Sequence, residues 1–272
     1  MSLTVNYNSA AFDAHRNMLN TDRSLQTAIA RLSSGMRINS AADDPAGLVI
    51  ANSLQSQGQG LGQAIKNAND GINLVKTSEG ALNEVNNLLQ EMRTLAVHAA
   101  NAGVNSTADI AADQAQLNNA VTSIDRIAGS TKFNGKALLD GTYTSQTFQV
   151  GANSTDTVSL TIGSQTTTTL GVDSLTLNGS AAAAISLIDA AISTVSTTRA
   201  TLGSFQKDTL QTTVNSLTVT QENLQASESS IRSTDMAAEM SQYTQQNILM
   251  QAGTAMLAQA NQQPQQILTL LR

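Results

Sequence analysis

The two ends of this chain carry the feature that most limits its fold: long, sparsely charged segments in which apolar residues recur every three and four positions. This spacing places the apolar side chains along one stripe of an α-helix, and the stripe has to be buried against a partner. The N-terminal stripe comprises Met18, Leu25, Ile29, Leu32 and Met36, and the C-terminal stripe comprises Met236, Met240, Tyr243, Ile248, Met250, Met256, Leu257, Leu268 and Leu271. We predict that the first and last helices pack on each other as an antiparallel terminal coiled coil.

The composition indicates a mainly α fold. Apolar residues make up 40% of the chain, whereas aromatic residues make up 3% and charged residues 12%, and Trp is absent. The core must therefore be built from Leu, Ile, Val, Ala and Met, which are typical of helix seams.

The same composition disfavours several classes of function. The net charge is −6 and the Lys and Arg residues form no basic run, so we expect no nucleic acid partner. Cys is absent, and the two histidines, His15 and His98, do not have metal-ligand spacing. We therefore expect no metal, no cofactor and no enzymatic activity. Asp43 and Asp44 are interpreted as helix-entry residues before Pro45, not as an acid/base pair.

The N-terminal sequence lacks the basic and apolar regions of a cleaved signal peptide. The sequence contains no run of about 18 apolar residues, the length that a membrane span would require. We expect a protein that is soluble, or that is exported by a route needing no signal peptide.

Turn signals divide the chain between its ends. A helix over residues 2–33 is predicted to end near Gly35, and Pro45 is predicted to open a helical stretch over about 45–128. Within it, apolar residues alternate in steps of four and three from Leu74 to Ala99. This pattern predicts a helix of about 44 residues, roughly 66 Å long, starting near Gln57. A polar loop over 101–107 should separate it from a helix over 108–128.

A small β region is predicted over about 132–177. Asn134-Gly135 and Asp140-Gly141 are turn signals, and residues 147–177 are rich in Thr, Val and Leu in near alternation. Helical periodicity returns over 181–231. We expect a bend or interruption at Gly203 and, from Leu210 onward, a regular seam that packs antiparallel on the long N-terminal helix.

The terminal stripes also predict self-assembly. Isolated helices with apolar seams and few charges should be disordered or sticky, and they should fold when neighbouring copies supply the missing surface. Head-to-tail contacts that do not close produce helical filaments instead of rings. The stripe residues are therefore the predicted self-assembly core of a homopolymer.

Four stretches of the chain closely resemble bacterial flagellin, the subunit of the flagellar filament. They are LSSGMRINSAADDPAGLVIA (32–51), NNLLQEMRTLAVHAAN (86–101), IDRIAGSTKFNGKALLDG (124–141) and QAGTAMLAQANQQPQQILTLLR (251–272). The resemblance implies an elongated subunit in which residues 1–44 and 232–272 form the inner core of the filament and residues 45–231 form a rod domain. An outer variable domain is expected to be minimal or absent.

The resemblance also implies partners and a location. The subunit would be exported unfolded by the flagellar type III apparatus to the extracellular filament. An export chaperone would bind the C-terminal helix, and filament cap and hook-junction proteins would contact the assembled chain.

One segment resembles the part of flagellin that a vertebrate innate immune receptor grips. The residues concerned are Gln90, Arg93, Leu95 and Gln116, the last standing where receptor-recognised relatives carry an acidic residue. The alternative for Arg93 is an ordinary solvated or intersubunit ion pair.

Two other functions stay open. One is a hook–filament junction protein, and the other is a surface adhesin or polysaccharide-binding homologue of flagellin. The match along the whole chain, including its ending QQILTLLR, favours flagellin, and the absence of aromatic platforms disfavours sugar binding.

Overall fold

The computed structural model describes the backbone of residues 8–270 and the side chains of residues 8–262. The described chain is mainly α-helical with two short β-hairpins, which confirms the predicted fold class. The helices are α1 (Ser9–Ser34), α2 (Pro45–Ala99), α3 (Thr107–Ser130), α4 (Thr167–Leu170), α5 (Ala181–Ser204), α6 (Thr212–Arg232) and α7 (Met236–Leu270), with a π-helix (Phe205–Gln211) between α5 and α6. The strands are β1 (Lys132–Phe133), β2 (Lys136–Ala137), β3 (Gln146–Gln149) and β4 (Thr157–Leu160).

The chain divides into two compact units. Unit 1 contains the residues up to Ser56 and from Asn223 onward, and unit 2 is Gln57–Glu222. The sequence predicts domain boundaries at residues 44 and 232, which differ from these unit boundaries. The predicted positions coincide with helix ends, directly before Pro45 and at Arg232. They stay a prediction about the domains of the assembled protein.

Unit 1 is built on the pairing of α1 with α7, as the terminal stripes predict. The predicted start of the first helix at residue 2 lies outside the described residues. Asn8 caps α1 by accepting a hydrogen bond from the amide of Ala11 at 3.1 Å. Gly35 ends α1 in the left-handed conformation, with φ 70°, which a residue with a Cβ adopts only at a cost.

The turn between α1 and α2 is held by two carboxylates. Asp43 accepts hydrogen bonds from the amides of Asn39 and Ser40 and from the Ser40 hydroxyl, and these bonds lower the pKa of Asp43. Asp44 accepts a hydrogen bond from the amide of Gly47 at 2.9 Å and so caps the first turn of α2. Both residues therefore act as helix-entry groups, as interpreted from the sequence.

Helix α2 is a single uninterrupted helix of 55 residues, so a start near Gln57 was wrong. Gly60 and Gly62 lie within it, where their missing side chains leave room for neighbours. A Cβ at Gly60 would lie 3.1 Å from the Cβ of Ala152, and one at Gly62 would lie 3.0 Å from the side-chain nitrogen of Gln221. These glycines therefore permit close packing within unit 2 and do not break the helix.

The core of unit 2 combines the predicted seam of α2 with apolar faces of α3 and α5. Along α2, Leu82, Val85, Leu89 and Met92 are fully buried. Ile124 of α3 and Ile188 and Val195 of α5 pack into the same cluster. Side-chain pairs that join α2 to α5, Arg199 to Glu79 and Arg93 to Asp189, progress in opposite directions along the two helices. The two helices are therefore antiparallel.

The β region ends earlier than the sequence pattern suggests. Strand β1 pairs with β2 and β3 pairs with β4, both antiparallel, but beyond Leu160 the described chain contains no strand. The prediction of strands up to residue 177 was therefore wrong. Residues Ile162, Val172, Leu175 and Leu177 are buried in the unit 2 core without strand partners, because loop turns and the short helix α4 bring their side chains inward.

The predicted interruption near Gly203 is a π-helix that starts at Phe205. Along α5 the buried residues follow a seven-residue repeat through Ala181, Ile188, Val195 and Leu202, whereas the next buried residue is Leu210, eight positions on. A π-turn accommodates one additional residue, so it keeps Leu210 on the buried side. From Leu210 the predicted seam continues along α6 with half-buried residues.

One continuous helical stretch, Ala181–Arg232, is long and apolar enough to cross a membrane by length and composition. Its most apolar part lies in α5, where Ala184, Ile188, Ala191 and Val195 are buried in the core of unit 2. Of the most apolar window in this stretch, 28% is buried, so core packing accounts for part of its apolar character.

Candidate functional site: the terminal helices

The contact between α1 and α7, which we call the seam, follows a heptad pattern on both helices. All its members are buried or half-buried and alternate in steps of three and four. On α1 they are Ala11, Ala14, Met18, Thr21, Leu25, Ala28 and Leu32, and on α7 they are Glu239, Tyr243, Gln246, Met250, Gly253, Leu257 and Ala260. The seam is rich in small and polar residues, so it buries little apolar area; we call it a thin interface in this sense.

Three contacts set the register of the seam. At one end the side-chain amide of Asn8 donates to the carbonyl of Ala260 at 2.8 Å. In the middle a Cβ added to Gly253 would lie 3.8 Å from the Cβ of Met18. At the other end Arg31 lies 3.9 Å from the buried carboxylate of Glu239. Residue numbers rise on one helix as they fall on the other, so the pairing is antiparallel.

The seam uses only part of the predicted terminal stripes. At the seam the half-buried stripe residues are Met18, Leu25, Leu32, Tyr243, Met250 and Leu257, and Met36 is half-buried beyond its end. Ile29 is 48% exposed, and Met236, Met240, Ile248 and Met256 are 48%, 50%, 61% and 64% exposed. The single-stripe interpretation therefore needs correction, because the partner helix leaves these five side chains about half exposed or more. The side chain of Leu268 and the whole of Leu271 lie outside the described part of the chain.

The terminal helices therefore carry an uncovered apolar surface. It consists of the five exposed stripe residues together with Phe12, Leu19 and Leu249. Large exposed apolar patches on a soluble protein mark interaction surfaces, because water contact with such side chains is unfavourable. The arrangement provides one apolar surface inside the subunit, at the seam, and another available to partners.

Backbone contacts join the two chain reversals of unit 1, and we call this region the clasp. Met36 and Ser233 form an isolated antiparallel β-bridge, and the amide of Arg37 donates to the carbonyl of Arg232 at 2.7 Å. The Arg37 guanidinium also donates to the carbonyl of Ile231 at 2.6 Å. The clasp fixes the start of α7 beside the end of α1, and therefore the register in which the seam begins.

The residues expected to contact an immune receptor lie on α2 and α3 of unit 2. Gln90 and Arg93 are exposed and lie three residues apart on one side of α2. Leu95 is half-buried and packs on the core, since residues two apart on a helix point about 160° away from each other. Gln116 is exposed on α3. A partner that contacts both Arg93 and Leu95 therefore has to cover about 160° of the helix circumference.

The sequence analysis missed the partner of Arg93. The Arg93 Nε lies 2.6 Å from Oδ1 of Asp189 on α5, and this hydrogen bond raises the pKa of Arg93. The ion pair is therefore formed within one chain. Only the antiparallel alignment of α2 with α5 could have indicated this pairing from the sequence.

His98 also has a partner that the sequence analysis did not assign. Its Nδ1 lies 2.6 Å from Oδ2 of Asp113, whose side chain is 11% exposed, and this hydrogen bond raises the pKa of His98. Asp109, on the first turn of α3, adds a smaller effect in the same direction. Among the described residues, no group of three or more His, Cys, Asp or Glu side chains could hold a metal ion.

Comparison with known proteins agrees with this architecture. The model of the bacterial flagellin N-terminal helical region matches residues 5–144, and that of the C-terminal helical region matches residues 185–271. Flagellin of Halalkalibacterium halodurans is 46% identical over 99% of this chain and all of its own length, and flagellin of Bacillus subtilis is 40% identical with the same coverage. The flagellar filament 33 kDa core protein of Treponema phagedenis is 41% identical, again over 99% of this chain and its own full length.

Solved structures show the same fold. The crystal structure of Bacillus cereus flagellin matches with a TM-score of 0.51 and 31% identity, covering 56% of this chain and 88% of its own. A putative flagellar hook-associated protein from Vibrio parahaemolyticus matches with a TM-score of 0.60 but only 14% identity, over 70% of this chain and all of its own, so it supports the fold alone. A chain with paired terminal helices in one unit, a helical core in the other and exposed apolar side chains on its terminal helices has the architecture of a structural subunit. The chain belongs to the bacterial flagellin family.

Proposed function

We propose that this chain is a structural subunit that polymerises with copies of itself into a bacterial flagellar filament for motility. The carrying observation is the uncovered apolar surface on α1 and α7, including Ile248 and Met256, each more than 60% exposed. A second copy that buries these side chains gains about 1.5–3 kcal/mol for each one fully removed from water. Relatives aligned over their full lengths are named flagellin or flagellar filament core protein, which supports the same function.

The thin seam supports a link between assembly and folding. Its small and polar members, such as Ala14, Thr21 and Gly253, bury little apolar area, so the pairing of α1 with α7 has a modest driving force of its own. Neighbouring copies that cover the outer apolar surface stabilise the same two helices. In this proposal residues 1–44 and 232–272 form the filament core and residues 45–231 form the rod domain.

We propose further that the subunit leaves the cell unfolded through the flagellar type III apparatus and has its place in the extracellular filament. The C-terminal helix would bind an export chaperone before assembly, since Met240, Ile248 and Leu249 are exposed there. Filament cap and hook-junction proteins are further proposed partners. No enzymatic activity is part of this proposal, because a structural role needs none.

Recognition by a vertebrate innate immune receptor is a separate proposal. It is supported by the exposure of Gln90, Arg93 and Gln116 in unit 2, with Leu95 partly available beside the core. The hook–filament junction and adhesin alternatives have no observation in their favour, because the relatives with full-length coverage are named as flagellins or filament proteins.

Electron microscopy of seeded polymerisation tests the main proposal. The purified chain is mixed with short filament seeds or a salting-out agent, beside a variant that lacks residues 1–44 and 232–272. Long filaments from the full chain only are expected. A matched variant, Ile248→Ser with Met256→Ser, keeps the seam and should raise the concentration needed for polymerisation. A full chain that stays monomeric under all these conditions would refute the proposal.

A further inference from the structure

We propose that Met236, Met240 and Met256 are sites of methionine sulfoxidation in the free subunit, and that their oxidation blocks its assembly. The second part rests on the proposed polymerisation through the terminal helices. The first part depends only on the exposure and chemistry of the free chain.

Methionine is the main sulfur target for oxidants in this protein. The chain contains eight Met and no Cys, so no thiol competes for peroxide. Four of the eight lie in α7, namely Met236, Met240, Met250 and Met256. The terminal helix therefore concentrates the groups that a peroxide can modify.

Exposure separates these methionines into classes. Met256, Met240 and Met236 are 64%, 50% and 48% exposed, whereas Met18, Met36 and Met250 are half-buried in unit 1. Met92 is fully buried in the core of unit 2. Oxidation by a small polar oxidant requires contact with the sulfur, so the three exposed residues should react first and Met92 last.

The chemistry is a two-electron oxygen transfer from hydrogen peroxide. A lone pair of the thioether sulfur attacks one peroxide oxygen, the O–O bond breaks, and an S–O bond forms. Methionine is oxidised to the sulfoxide, and the peroxide is reduced to water after proton transfer to the leaving oxygen. The product is a polar group with a strong hydrogen-bond acceptor in place of a flexible apolar side chain.

The positions of the three residues explain why the modification would matter. They lie outside the seam, so the sulfoxides stay in water in the free subunit and leave α1–α7 pairing intact. In an assembly that covers the outer surface of α7, each sulfoxide oxygen would be buried without a hydrogen-bond donor, and such burial costs free energy. The modification therefore penalises the polymer and not the monomer. Oxidised free subunits would therefore be excluded from the polymer, whereas intact subunits would assemble.

The experiment treats the purified full chain with hydrogen peroxide and measures each methionine by peptide mass spectrometry. The expected order of oxidation is Met256, Met240 and Met236 first, then the half-buried residues, with Met92 last. Seeded polymerisation of the treated chain is then followed by sedimentation. We expect the critical concentration to rise at least about tenfold, the factor that corresponds to one poorly satisfied buried polar group.

A triple variant, Met236→Leu with Met240→Leu and Met256→Leu, keeps apolar side chains of similar size that peroxide does not oxidise. It should polymerise equally well before and after treatment. The matched control, Met18→Leu with Met250→Leu, changes two seam residues and should remain sensitive. Treatment with methionine sulfoxide reductases should restore polymerisation of the oxidised wild type.

Two results would overturn the inference while leaving the proposed function in place. In the first, oxidised and untreated wild type polymerise with the same critical concentration. In the second, the triple variant loses polymerisation on treatment as fully as the wild type. Failure of the untreated chain to polymerise would instead refute the proposed function. Oxidation of Met92 as fast as Met256 would contradict the site assignment in every case.

Discussion

Arg93 on α2 and Asp189 on α5 form an ion pair, with 2.6 Å between Nε and Oδ1, and both side chains remain about half exposed. An exposed ion pair contributes little to stability because water and salt screen it. The same exposure leaves one edge of the guanidinium available to a partner. The pair therefore contributes little to the stability of unit 2.

We expect Arg93→Ala and Asp189→Ala each to leave the melting temperature of the monomer nearly unchanged. If Arg93 contacts the immune receptor, Arg93→Ala should reduce the signal in a cell-reporter assay at least about tenfold, the effect of losing one charged contact. Asp189→Ala should retain the signal, since it releases the guanidinium from its internal partner. Equal activity of wild type and Arg93→Ala would exclude the proposed contact.

Two helical glycines of unit 1 should respond to alanine in opposite directions. Gly253→Ala places a Cβ at ordinary contact distance, 3.8 Å from Met18, so the gain in helix propensity should raise the free energy of unfolding by about 0.5–1 kcal/mol. Gly47→Ala places a Cβ against the capping carboxylate of Asp44 and 2.8 Å from Cδ1 of the buried Ile38. These clashes should lower the free energy of unfolding by about 1–3 kcal/mol. Urea unfolding followed by circular dichroism measures both changes, and equal signs would contradict the packing described for these positions.

The contact between His98 and Asp113 should make the junction of α2 and α3 dependent on pH. The folded pKa of His98 lies above its ordinary value of 6.5, so the stabilisation is fully present below about pH 6.5. It is lost as the pH rises through the higher, folded pKa. The difference in melting temperature between wild type and His98→Gln should therefore be larger at pH 5.5 than at pH 8.5.

Asp113→Asn is the control for this pH dependence. It removes the charge that bonds His98, so an NMR titration of the His98 ring should show a lower pKa than in the wild type. Asp109 keeps its hydrogen bonds from Ser106 in both proteins. An unchanged His98 titration would show that Asp113 does not cause the shift.

The core of unit 2 should be sensitive to cavities along the α2 seam. Leu89 is fully buried, so Leu89→Ala should lower the free energy of unfolding by about 2–5 kcal/mol. Val97 lies on the same helix and is 47% exposed, so Val97→Ala should cost less than about 1 kcal/mol. Thermal and urea unfolding of both variants gives the comparison. A small effect at Leu89 would argue against its place in the core.

Much of the fold could be predicted from local features of the sequence. Gly35 and Pro45 mark the reversal between α1 and α2, because one favours the left-handed conformation and the other suits a first helical turn. The alternation of apolar residues from Leu74 to Ala99 locates the buried face of α2, because a helix makes one turn every 3.6 residues. The pairing of the first and last helices follows from the same periodicity.

Other features depend on contacts between distant residues. Strand pairing stops at Leu160 although the alternating pattern continues, because the following apolar residues are needed in the helical core. The ion pair of Arg93 with Asp189 needs the alignment of two helices that no local pattern specifies.

The sequence by itself determined that both terminal segments are amphipathic helices and that they need partners. It could not determine which apolar residues meet inside the subunit. Tertiary structure decided that Met18 and Met250 lie at the seam while Ile248 and Met256 face outward. The physical reason is that the apolar residues of α7 spread around more of the helix than one neighbouring helix can cover. Only the packing of α1 selects the covered face, and the rest is left for other molecules.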